Sequence, residues 1–151
     1  MNLDLAGRHA LVCGGSQGIG HAAAIELAAL GADVTLLARS RDALDAALAA
    51  LPKTHAAQTH ATLAVDMGDH RALRAKIEAT ANAHPVQVLV NNSGGPPGGP
   101  ASSASTDEFL AAFNQHLVAA QVVLQAVLPG MKASGYGRIV NGISTSVKEP
   151  I

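Results

Sequence analysis

His9-Ala10-Leu11-Val12-Cys13 runs directly into Gly14-Gly15-Ser16-Gln17-Gly18-Ile19-Gly20. The first five residues are short, apolar and closed by glycine, as a buried strand would be. From Ile19 to Leu30 apolar residues recur at helical spacing, and Gly31 follows as a helix stop. A glycine-rich turn between strand and helix gathers free backbone N–H groups and the positive end of a helix dipole at one point. An anionic pyrophosphate is stabilised there. Gly14 permits the sharp turn, Gly18 lets backbone approach the phosphates, and Gly20 lets the helix pack closely. The spacing is G-x-x-x-G-x-G rather than G-x-G-x-x-G, and taken alone such a stretch also reads as a plain tight turn.

The same alternation continues outward. Residues 33–38 (DVTLLA) read as a second strand, and 41–51 as a helix stopped by Pro52. A strand over 62–65 ends at Asp66; a helix over 69–83 ends at His84-Pro85. Residues 86–90 (VQVLV) form a fourth strand. After a Gly/Pro loop, Thr106 reads as the N-cap of a long helix reaching about residue 132, with Asp107 and Glu108 in its first turn. Residues 136–143 (YGRIVNGI) form a fifth strand. Strands and helices in this order specify β-α-β units, hence an α/β fold with a doubly wound parallel sheet and helices on both faces. The run 94–100 (GGPPGGP) has three prolines in seven residues, so it is neither helix nor inner strand. It reads either as the rim of a substrate mouth or as a connector with no ligand role.

The whole chain, 1–151, is expected to be one domain's worth of sequence. Charged residues make up only 14%, against a typical ~25%, and the net charge is −1, which argues against the basic face a nucleic-acid binder needs. Hydrophobic residues reach 48%, enough to offset the ordering entropy that would otherwise leave the chain disordered. A single cysteine, Cys13, excludes an intramolecular disulfide and fits a reducing compartment. No uninterrupted apolar run approaches the ~20 residues of a membrane span, and the first residues are not those of a signal peptide. The expectation is a cytoplasmic protein with no membrane partner. The seven histidines contain no i,i+4 pair and no cysteine accompanies them, so no metal site is expected.

CGGSQGIG resembles the coenzyme loop of the classical short-chain dehydrogenases/reductases, with Cys13 where that family has threonine. The resemblance repeats in order along the chain. Asp66, followed by Met67, is similar to the family's adenine-contacting acid after strand three. Asn91-Asn92-Ser93-Gly94 is similar to its NNAG signature, and residues 137–141 with Ser144 resemble its strand five and catalytic serine. Members similar to 3-oxoacyl-[acyl-carrier-protein] reductase share this order. The resemblance implies a Rossmann-type sheet of order 3-2-1-4-5. It also implies coenzyme contacts at Gly14, Ser16, Gln17, Gly18, Ile19, Gly20, Asp66, Met67, Asn91, Ser93 and Gly94, and a homodimer or homotetramer formed through the long fourth helix.

The strand-two position where NAD-preferring members carry an acid is Ala38 here, with Arg39 next and Arg41 close by. A guanidinium without a carboxylate favours a 2′-phosphate, so NADP(H) is expected, with NAD(H) the alternative and a solvated Arg39 the bland one. The family's catalytic groups are Ser, Tyr and Lys, with a helix Asn organising a water. Ser144 matches the serine. Counting back from Gln125-Ala126-Val127-Leu128-Pro129, the asparagine position falls on His116, which either holds a water or is an ordinary half-buried helix histidine. Asn114 would face another side of the helix. Tyr136, the one tyrosine, precedes Ser144 and has Val140 four residues on, so no Tyr-x-x-x-Lys is present. By the family's spacing that motif would lie beyond Ile151.

The residues therefore resemble the N-terminal part of a divergent branch of the family. The resemblance implies hydride transfer between NADP(H) and a small carbonyl or alcohol substrate. A nucleotide-binding module without catalysis, acting as sensor or scaffold, is the alternative. A piece that folds only on a partner is the third reading.

Overall fold

Five short strands pair in parallel into one twisted sheet of order β3-β2-β1-β4-β5. They are β1 (His9–Cys13), β2 (Asp33–Ala38), β3 (His60–Ala64), β4 (Val88–Asn91) and β5 (Arg138–Asn141). The computed structural model describes residues 3–95, 98–100 and 102–144. The helices between the strands are α1 (Gly18–Ala29), α2 (Arg41–Ala49) and α3 (His70–Ala83). Between β4 and β5 come α4 (Thr106–Phe113), a π-helical turn (Asn114–Val118) and α5 (Ala119–Ala133). These last three run as a single 28-residue helix.

Strand side chains alternate, so each strand feeds two cores. Ala10, Val12, Val34 and Leu36 meet Ala24 and Ala28 of α1 and Leu44 and Ala47 of α2. Leu11, Cys13, Leu37 and Leu89 meet Leu73 and Ile77 of α3 and Val123, Val127 and Met131 of α5 on the opposite face. The result is a three-layer α/β/α arrangement, with the order of strand addition reversing between β1 and β4. In such sheets the crevice for a ligand opens at the carboxyl ends of those two strands.

The amino edge is closed by side chains. Gln58, fully buried, donates from Nε2 to the carbonyls of Ala28 (2.8 Å) and Ala32 (2.7 Å), and its Oε1 accepts from Thr54 N–H at 2.7 Å. His9 is 2% exposed and stacks on His84 with ring centroids 4.3 Å apart. Its Nδ1 bonds the His84 carbonyl (2.9 Å) and its Nε2 bonds Thr35 Oγ1 (2.8 Å).

The sequence expectations meet the structure element by element, with shifts at the ends. The fourth helix is capped by Ser105 rather than Thr106. Ser105 Oγ accepts from Glu108 N–H, while the Glu108 carboxylate accepts from Ser105 N–H at 2.8 Å. The Ser105 N–H foremost, and the Ser105 hydroxyl that donates to the same carboxylate at 2.9 Å, hold the Glu108 carboxyl below its usual range. Pro129 lies inside α5, near its end at Ala133. By length and composition Thr106–Ala133 is apolar enough to cross a membrane, although it contains no uninterrupted apolar run of that length. The expectation counted uninterrupted apolar runs, and this helix is broken by polar residues at 114–116. Its α5 half is packed into the sheet through Val122, Val123, Val127 and Met131, whereas Phe109, Leu110, Phe113 and Leu117 are exposed. β5 sits at the sheet edge, with all four residues exposed.

Burial, chiefly, holds the His9 imidazole below its ordinary value. An unfolded chain binds that proton more readily, so the contribution of neutral His9 is intact above pH of about 6.5. It declines as pH falls from there towards the lowered native value. Denaturant midpoints measured from pH 8 to 5 should fall on the acid side, and His9→Gln should flatten that fall.

Candidate dinucleotide site

Between the carboxyl ends of β1 and β4 lies a cleft of about 440 Å³. Its floor is the glycine turn. Gly14 has φ +62°, and a Cβ there would come within 2.7 Å of Asn92 Nδ2. A Cβ on Gly20 would overlap the Gly14 carbonyl, so α1 sits on the turn itself. Gly18 has φ +55° and no atom within 4 Å of where a Cβ would point. Gly14 and Gly20 are therefore closed to side chains by contact, whereas Gly18 faces open space. Gln17, the N-cap of α1, makes no side-chain cap, so the first turn offers its backbone N–H groups to the cleft.

Ser16, Gln17, Gly18 and Ile19 line the cleft with Gly14; Gly20 lies behind them in the packing. Arg39 and Ser40 line it from the end of β2, where Ser40 Oγ also caps α2 by accepting from Ala43 N–H at 3.3 Å. Asp66 and Met67 line it past β3. Asp66 Oδ1 accepts from Gly68 N–H at 2.8 Å, which holds that turn. From the β4 side come Asn92, Ser93 and Gly94.

Asn91 is placed differently from its neighbours. It is buried in β4 and donates from Nδ2 to Asn141 Oδ1 at 3.0 Å, which ties β4 to β5. Asn92, one residue on, takes the place in the cleft. Alternation along a strand explains the exchange. Gln115, which nothing in the sequence marked, also lines the cleft, because the π turn carries it there. Cys13 is fully buried, and burial pushes its thiol up to about 12, so it stays protonated and is no nucleophile.

His116 lies in the π turn, half-buried, with Nδ1 2.5 Å from Ser93 Oγ. Asn114 is exposed, as its helix position implies. Ser144 is exposed three residues past β5 and does not line the cleft. Pro96 and Pro97 of the Gly/Pro segment lie outside the described residues. Among the described residues no cluster of three metal-ligating side chains occurs.

A family model for short chain dehydrogenase matches residues 8–151. L-xylulose reductase of Mesocricetus auratus is 36% identical over 142 residues, 93% of this chain and 54% of that protein. The human inactive hydroxysteroid dehydrogenase-like protein 1 is 32% identical over 146 residues, 95% of this chain and 44% of that one. The crystal structure of L-sorbose reductase from Gluconobacter frateurii, complexed with NADPH and L-sorbose, superposes with a TM-score of 0.91 at 28% identity. That match covers 100% of this chain and 57% of the reductase. The chain thus spans about half the length of the curated relatives it matches. With the glycine turn, the 3-2-1-4-5 sheet and the family match agreeing, the chain belongs to the short-chain dehydrogenase family.

Proposed function

We propose that the chain forms the coenzyme-binding part of an NADP(H)-dependent oxidoreductase that interconverts a small carbonyl compound and its alcohol. The observation that carries this is the cleft floor. Two glycines are closed to any Cβ by contact, a third opens onto the cleft, and the helix above is uncapped. That arrangement suits a pyrophosphate bound by backbone N–H groups of residues 16–20. Asp66 and Met67 would hold the adenine end. Arg39 would pair with a 2′-phosphate, because β2 ends on Ala38 and brings no carboxylate to compete.

The bound nicotinamide would supply or accept the hydride. Ser144 would hydrogen-bond the substrate carbonyl, as the family resemblance implies, and His116 would organise a hydrogen bond from the β4 side. The sugar substrates named for L-xylulose reductase and L-sorbose reductase make a small ketose the first class to assay. The exposed face of Phe109, Leu110, Phe113 and Leu117 supports association of two copies along the long helix.

Calorimetric titration of the full chain with NADPH and NADH, followed by NADPH oxidation with L-xylulose and L-sorbose, tests the reading. Binding and turnover support it. Because the chain holds no Tyr-x-x-x-Lys, the binding result decides the coenzyme reading, and no binding removes it; absence of turnover favours a nucleotide-binding module only in a protein of the relatives' full length. Gly18→Val should weaken NADPH binding by about 100-fold or more, on the order of 3 kcal/mol, by strain at positive φ and by blocking the pyrophosphate. Unchanged affinity would refute the loop's role. Arg39→Asp should lower the NADPH:NADH affinity ratio by at least about tenfold; an unaltered ratio counts against the 2′-phosphate contact.

A further inference from the structure

Nε2 of His116 is the one shielded side-chain nitrogen or oxygen among the described residues that has no hydrogen-bond partner. Such an atom demands an explanation, because an unmatched buried polar group costs about 1–3 kcal/mol. The ring is not loosely placed. Ser93 Oγ engages Nδ1 from the end of β4. The π turn that carries the ring is braced from α3, where His70 donates from Nε2 to the Asn114 carbonyl at 3.0 Å. Three elements therefore fix one imidazole and leave a single nitrogen unspent. π turns of this kind recur where a helix has to present a functional side chain.

Neutral imidazole carries one N–H, and the two arrangements differ in what they leave over. If Nδ1 carried the proton, it would donate to Ser93, and the shielded Nε2 lone pair would need a donor. The Ser93 hydroxyl proton would then need a second acceptor as well. If the Ser93 hydroxyl donates to Nδ1, its proton is used and a lone Nε2–H remains. We infer that Ser93 is a positioning residue that holds His116 as the Nε2–H tautomer, making that nitrogen a hydrogen-bond donor for an oxygen acceptor. The acceptor is a carbonyl oxygen or a water oxygen. This donor deepens the proposed carbonyl chemistry, and only the acceptor's identity rests on that reading. The pair itself rests on geometry.

The test is long-range ¹H–¹⁵N correlation on the full chain labelled with ¹⁵N-histidine, with His116→Asn identifying the ring's signals. The expected spectrum shows an unprotonated Nδ1 and a protonated Nε2 for His116. Ser93→Ala should shift both nitrogens towards tautomer-averaged values, and Ser93→Thr, which keeps the hydroxyl, should restore the parent pattern. The other six histidine rings report whether each variant is folded. A protonated Nδ1 in the parent chain, or an unchanged pattern in a folded Ser93→Ala variant, overturns the inference. Calorimetry with NADP⁺ on the same samples keeps the two proposals apart, since lost coenzyme binding with an intact tautomer defeats only the coenzyme reading. Downfield movement of the Nε2 proton on adding NADP⁺ and L-xylulose assigns the acceptor to a carbonyl; a donor signal that stays put assigns it to water.

Discussion

The approach of α1 to the turn that precedes it constrains everything around the cleft. The Gly14 carbonyl occupies the space a Cβ on Gly20 would need, and Asn92 presses on Gly14 from the other side. Strand end, helix start and the end of β4 are thus held in one contact between backbones. Ala24 and Ala28 continue the close approach down α1, since larger side chains would lift the helix off β1 and β2. The helix N-terminus is aimed by that packing, without a capping side chain, and so its N–H groups remain available.

The two edges of the sheet do different work. At the amino edge, polar side chains are spent on closure. Gln58 bonds two carbonyls, His9 is stacked and bonded at both nitrogens, and Arg8 and Arg138 lie 4.1 and 4.6 Å from the Tyr136 ring centroid. Tyr136 is thereby engaged at the start of β5, away from the cleft. At the carboxyl edge, the polar groups of the glycine turn, Arg39, Asp66 and Asn92 border open space. An edge of matched groups holds the fold so that an edge whose groups border open space can take a ligand.

Much of this was legible in the sequence, and the remainder has identifiable causes. The order of elements follows from apolar runs broken by Gly, Pro and Asp, which are local signals. The glycine turn was legible from its place between an apolar strand and a helix, since its spacing alone also fits a plain tight turn. Ser105 and Thr106 are both acceptable caps, and the choice between them fell to the reciprocal bond with Glu108. Asn91 and Asn92 are the same residue type, so only the strand's alternation tells which faces the cleft. Gln115 and the Ser93–His116 pair depended on a π turn, and nothing in residues 114–118 distinguishes such a turn from ordinary helix.

That turn also has a geometric consequence for the long helix. Hydrogen bonds that skip one residue further insert an extra residue into the spiral, which offsets the angular phase of everything before it by about a quarter-turn or more relative to everything after. Phe109, Leu110 and Phe113 therefore follow a different azimuth from Val122, Val123 and Val127, although a single rod carries both sets. One stripe answers to the sheet, and the other is free to be shaped by whatever meets the outer surface. A one-residue deletion within 114–118 would re-register the two stripes, turning the outer one without altering a single side chain in it.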